Sequence, residues 1–97
     1  MAKAYWVSCY RAVHDTTALG EYAKLAGPAI QGSGGRFLVR GTAEKVYDHG
    51  VVGRTVIVEF DSMEKAVAAR ESPAYAEALR ALGNGVERDF RIVEGVA

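Results

Sequence analysis

The sequence predicts an α+β fold: a four-stranded sheet with helices on one face, in the order β-α-β-β-α-β. Three observations predict it. Four stretches alternate as strands do, two stretches place apolar residues near a period of 3.6, and glycine, proline and asparagine stand between them. At 97 residues the chain has the length of one domain, residues 1–97, with no repeat or linker inside it.

The first strand reads Ala4-Tyr5-Trp6-Val7-Ser8-Cys9-Tyr10-Arg11, rich in aromatic residues. His14-Asp15-Thr16-Thr17 ends it, with Asp15 or Thr16 as the helix N-cap. The following helix carries Leu19, Tyr22, Ala23, Ala26, Ala29 and Ile30 on one stripe. Gly27-Pro28 is expected to kink it, or to end and restart it, because proline lacks an amide donor. Gly32-Ser33-Gly34-Gly35 reads as a connector: no Lys-Ser/Thr follows, and the next element is a strand, so no helix N-terminus aims at a phosphate.

Arg36 to Arg40 is the second strand, which Gly41 breaks or bulges before Glu44-Lys45-Val46-Tyr47 continues it. Asp48-His49-Gly50 supplies turn residues, and Arg54 to Phe60 forms the third strand. Asp61 or Ser62 caps the next helix, with Met63, Ala66 and Val67 facing the core. Ser72-Pro73 restarts that helix with Tyr75, Ala78, Leu79 and Leu82 as its stripe. Gly83-Asn84-Gly85 ends it, and Arg88 to Glu94 is the last strand. The split βαβ arrangement places the first and third strands side by side in the centre, expected to run parallel.

Alternation implies two unlike sheet faces. One carries Val7, Cys9, Phe37, Val39, Val56, Val58, Phe60, Phe90 and Ile92 and is expected to meet the helices. The other carries Trp6, Ser8, Tyr10, Arg36, Leu38, Arg40, Ile57, Glu59, Arg91 and Val93. It is too apolar for bare water and too charged for a dry core, so a second subunit is expected to cover it and leave a polar cavity. The expected partners are therefore a second copy of the chain, as a homodimer, and a small-molecule ligand.

Lys plus Arg equals Asp plus Glu at twelve each. That balance argues against nucleic acid bound through its phosphates and against an anionic membrane surface. Met1-Ala2-Lys3-Ala4 leads straight into strand pattern, and no apolar run approaches the roughly 20 residues of a membrane span, so a cytoplasmic location is expected. Cys9, the single cysteine, reads as a small buried hydrophobe. His14 and His49 lack metal-ligand spacing, so neither a metal nor a cofactor is expected.

The chain resembles domain-of-unknown-function family 1330 of the dimeric α+β barrel superfamily, from Ala4 to Val96. The likeness rests on Ala4-Tyr5-Trp6-Val7, Gly35-Arg36-Phe37-Leu38-Val39-Arg40-Gly41, Val58-Glu59-Phe60-Asp61-Ser62, Ser72-Pro73-Ala74-Tyr75 and Val93-Glu94-Gly95. It implies a ferredoxin-like subunit in a dimeric barrel. Thr42 stands where the family usually has a second glycine, and Ala69-Arg70-Glu71 where it often has bulky aromatics. If those aromatics shape a cleft in relatives, the cleft here is wider and more polar. The superfamily includes metal-free monooxygenases, lactone isomerases and haem enzymes, but a fold does not fix a function.

Two groups of residues are candidates for a site. Arg36 and Arg40, four apart on one strand, share a side unless a bulge intervenes, with Glu59 on the neighbouring strand to orient a carboxylate-binding guanidinium. The competing role is a structural Arg–Glu bridge in the dimer interface. Trp6, Tyr10 and Tyr22 can line a cavity for a planar ligand and Tyr75 can close its mouth, against plain packing roles for each. His14 beside Asp15 is the only local pair suited to proton transfer. These residues support three readings: a module binding an anionic or aromatic metabolite, a cofactor-independent isomerase or monooxygenase using His14, Arg40 or Glu59, and a structural dimer without ligand.

Overall fold

The computed structural model describes residues 2–96. Strand β1 (Ala4–Val13) is followed by helix α1 (Thr16–Gly32), strands β2 (Arg36–Thr42) and β3 (Arg54–Phe60), helices α2 (Met63–Arg70) and α3 (Pro73–Leu82), and strand β4 (Val86–Glu94). The sheet order is β2-β3-β1-β4, and every neighbouring pair is antiparallel. The central pair β1 and β3 is thus adjacent, as expected, but antiparallel rather than parallel. In the split βαβ unit it is β1 and β2 that share a direction, and β3 enters between them running the other way.

The capping residues behave as their chemistry demands. The carboxylate of Asp15 accepts from the Ala18 amide, Ser62 from Lys65, and Ser72 from Tyr75, each satisfying a first-turn donor. Helix α1 continues through Pro28 and does not end and restart there. Pro28 is exposed, so the carbonyl left without its amide donor can turn to water. The segment 43–53 is a loop and does not prolong β2. Asp48, with φ of 56°, and a Tyr47 carbonyl accepting from the Gly50 amide at 2.9 Å make the turn expected there.

The helices cover the sheet face bearing Ala4, Trp6, Ser8 and Tyr10, which are all buried, together with Val58 and Phe60. This reverses the expected phase of β1: Val7 and Cys9 lie on the opposite face, and Cys9 is exposed rather than buried. Both phases of this strand are apolar enough to serve. Size decides between them, because only the Trp6 and Tyr10 rings fill the gap between sheet and helices. The Trp6 ring lies 5.0 Å from Phe60, 5.0 Å from Tyr75 and 5.2 Å from Phe90, and its Nε1–H donates to the Ala66 carbonyl at 2.9 Å. Tyr22, Ala26 and Ile30 of α1 and Tyr75, Ala78 and Leu82 of α3 close this core.

A second correction concerns β2. Phe37 pairs with Val58 but Val39 pairs with Ile57, so Leu38 is an extra residue in the ladder. The bulge lies at Leu38, not at Gly41, and it changes the phase of everything after it. Arg36 opposite Glu59 stays on the open face, while Arg40 opposite Val56 turns to the helix side.

Candidate functional site

The candidate site is a recess between α1 and the sheet, on the helix-covered side. Its floor is made by alternate residues of β1, β3 and β4, and its wall by Tyr22, Ala23, Ala26, Gly27 and Ile30 of α1. The small residues on α1 hold the helix off the sheet by less bulk than leucines would fill, and a narrow space remains. Its volume is about 40 Å³, enough for roughly three waters or the head of a small molecule.

The register explains which side chains converge. Tyr10 pairs with Arg88 across β1 and β4, and Ser8 with Phe90. On the other flank Ser8 pairs with Val56 of β3, so Arg54, two residues along, shares the face and lies beside Tyr10. Both guanidiniums rest against the Tyr10 ring, Arg54 at 5.9 Å and Arg88 at 5.7 Å from its centroid. They are therefore less than about 12 Å apart, where two like charges repel by on the order of 1 kcal/mol at an intermediate dielectric. Arg40 is the third cation of the lining, stacked 4.5 Å over Phe37. No carboxylate lines the recess, and Arg40, Arg54 and Arg88 enter no ion pair among the described residues.

Arg88 is held by phenols instead. It donates to Tyr10 Oη at 3.3 Å, Tyr22 Oη at 3.2 Å and Tyr75 Oη at 3.2 Å, and the Tyr22 and Tyr75 hydroxyls are 2.5 Å apart. Burial alone would lower the Arg88 pKa, but the surrounding phenol oxygens outweigh it and raise the value, so the group stays charged. Burial, then the neighbouring Tyr75, pushes the Tyr22 phenol well above its ordinary range. Two polar atoms of the lining residues remain buried without a protein partner, Ser8 Oγ and Arg54 Nε. Such groups cost about 1–3 kcal/mol each when left unpaired.

Among the residues expected to form a site, Trp6, Tyr10, Tyr22 and Arg40 line this recess. Tyr75 supports it from behind, 1% exposed and bonded to Tyr22 and Arg88. Arg36 and Glu59 are on the other side of the sheet, away from Arg40. There Arg36 Nε donates to Glu59 at 3.0 Å and its terminal nitrogen to Asp61 at 3.0 Å, while Tyr5 donates to Glu59 at 3.0 Å. The hydrogen bond from Arg36, then that from Tyr5, holds the Glu59 carboxyl below its ordinary pKa. His14 pairs with Glu87 at 2.6 Å rather than with Asp15, on the exposed surface outside the recess. His49 sits in the exposed 43–53 loop, which roofs a broader hollow of about 290 Å³ beside Cys9 on the open face. That hollow gathers no comparable set of charges. Among the described residues no group of His, Cys, Asp or Glu could hold a metal ion.

Sequence reasoning missed Arg88, Arg54 and Ser8 as site residues. Arg88 was within reach: it stands two and four residues before Phe90 and Ile92, so strand alternation puts it on the same face as both.

Fold and site together define a class, a ferredoxin-like α+β protein with a cationic recess under its long helix. The chain belongs to the family described as domain of unknown function DUF1330, which it matches over residues 3–96. No curated protein matches it. Solved structures share its fold. A protein of unknown function from Rhodopseudomonas palustris is 15% identical with a TM-score of 0.79, covering 99% of this chain and 84% of its own. A cofactor-independent oxygenase from Streptomyces nogalater is 11% identical with a TM-score of 0.67, covering 100% and 96%. A dimeric protein of unknown function from Bacteroides fragilis, described as ferredoxin-like, is 13% identical with a TM-score of 0.55, covering 96% and 96%. No helix among the described residues is long and apolar enough to cross a membrane.

Proposed function

We propose that this protein binds a small anionic organic molecule in the recess between α1 and the sheet. One observation carries the reading: three guanidiniums line the space and no carboxylate accompanies them. Uncompensated charge of one sign in a partly desolvated hollow focuses potential on a counter-ion, and an anion relieves the mutual repulsion of Arg54 and Arg88. The lining offers phenols and guanidiniums but neither imidazole nor carboxylate, the usual proton shuttles at neutral pH. That supports binding ahead of acid–base catalysis, although the Streptomyces nogalater neighbour is an oxygenase.

The protein works as a homodimer in this reading. Support comes from the open sheet face, where Val39 and Val93 are 43% and 48% exposed beside Val7 and Ile57, and from the dimeric Bacteroides fragilis neighbour. The recess lies on the other side of the sheet from that face, so ligand binding does not need the partner's residues. A thermal-shift screen of anionic, neutral and cationic metabolites tests the proposal. Anions are expected to raise the melting temperature by linkage, and to lose that effect in Arg88→Gln. Stabilisation by neutral or cationic compounds alone would contradict it.

A further inference from the structure

We infer that the recess receives the carboxylate end of a short-chain monoanion, with the two carboxylate oxygens read by O–H donors as well as by arginine. The inference rests on the anion-binding reading above and narrows it to one chemistry. It starts from a count of hydrogen-bond donors. The three phenol oxygens around Arg88 are used as acceptors. In the Tyr22–Tyr75 pair one hydroxyl donates to the other, which leaves one proton over. The Tyr10 hydroxyl proton has no protein acceptor in any hydrogen bond of the described residues, and Ser8 Oγ is without a partner in a residue that is 3% exposed. With Arg54 Nε also unpaired, the recess is rich in donors and its lining holds no anionic acceptor for them. An ionised carboxylate is acceptor-only, which is the chemistry that such a set satisfies.

Shape then decides between anions. Apart from these hydroxyls and the three arginines, the lining is apolar, including Trp6, Ile30, Phe37 and Val58. A phosphate carries oxygens in every direction and would leave some of them against these walls unbonded, which is costly. A carboxylate keeps both oxygens at one end and presents carbon at the other. The volume of about 40 Å³ admits roughly three or four heavy atoms, so the carboxylate and the carbon next to it fit inside, the rest of a short chain lies toward the opening, and a fused ring does not enter.

The test uses four probes, butyrate, 1-butanol, butylammonium and inorganic phosphate, titrated by calorimetry into the wild-type chain and into Ser8→Ala, Tyr10→Phe and Arg88→Gln. Butyrate is expected to bind the wild type at least tenfold more tightly than butanol or butylammonium. Ser8→Ala is expected to raise the melting temperature of the ligand-free protein, since it removes an unpaired buried hydroxyl, and yet to weaken butyrate about three- to tenfold. A merely structural serine would not move stability and affinity in opposite directions. Tyr10→Phe is expected to weaken butyrate while circular dichroism shows the fold retained. Butanol binding as tightly as butyrate, or unchanged butyrate affinity in both Ser8→Ala and Tyr10→Phe, overturns the inference. Phosphate that binds through Arg88 where butyrate does not overturns it too, while leaving the anion-binding proposal standing. Failure of both anions defeats inference and proposal together.

Discussion

Single side chains set both the core and the recess. Trp6 touches three aromatic rings and anchors its indole N–H on α2, so its truncation removes the keystone of the core. Trp6→Ala is expected to cost about 3–5 kcal/mol by chemical denaturation, and Trp6→Phe distinctly less. Gly35 is constrained by space: a Cβ there would lie 2.6 Å from Ile30 Cγ2 and 2.9 Å from Phe60 Cζ. Gly35→Ala is therefore expected to be destabilising despite its conservative look, with a lowered urea midpoint as the readout. At this scale the sequence was partly legible. Tyr22, Trp6 and Arg40 carried a recognisable chemistry of aromatic and cationic groups. Arg88 was overlooked because a charged residue at a strand end reads as solvent-facing, although its spacing from Phe90 and Ile92 says otherwise.

Elements were legible in kind and order, less so in phase. The capping chemistry of Asp15, Ser62 and Ser72 marks helix starts because those side chains take up first-turn amides that have no other partner. Ser72→Ala is expected to cost about 1 kcal/mol of stability, and it also loses the hydroxyl's bond to the Ala69 carbonyl that joins α3 to α2. The faces of β1 were not legible from alternation, since Val7 and Cys9 are as apolar in pattern as Trp6 and Tyr10. What separates the two sets is volume against the helices, a tertiary property. The Leu38 bulge was hidden for a similar reason. No glycine or proline marks it, and a one-residue slip sends Arg40 from the face of Arg36 to the opposite one.

At the scale of the whole molecule the sheet divides its charges between its two faces, and this division has a pH consequence. On the open face Arg36 holds Glu59 and Asp61 below their ordinary values of 4.5 and 3.8, and Arg91 does the same for Asp89. A carboxylate depressed in the folded state contributes stability that is present above its unfolded pKa and is lost as pH falls through the folded one. The melting temperature is thus expected to be level above about pH 5 and to fall as the pH drops through 4.5 and below 3.8. Arg36→Met is expected to flatten that decline. A profile as steep as wild type in this variant would show that the pairs contribute nothing. On the covered face Arg40, Arg54 and Arg88 enter no ion pair among the described residues, which is the ground of the proposed anion site. The four-strand, helix-backed architecture was legible at this scale because repeated alternation and period-3.6 stripes are redundant signals. The recess was not, because it depends on where small residues of α1 meet arginines from three different strands.

The most direct measurement follows the Nε–H signals of the arginines by nuclear magnetic resonance while butyrate is added. The account predicts that Arg54 and Arg88 shift together along one saturating curve, and that Arg36 and Arg91 on the opposite face stay where they are. Movement confined to Arg36 and Arg91, or no movement in any of the four, would contradict it.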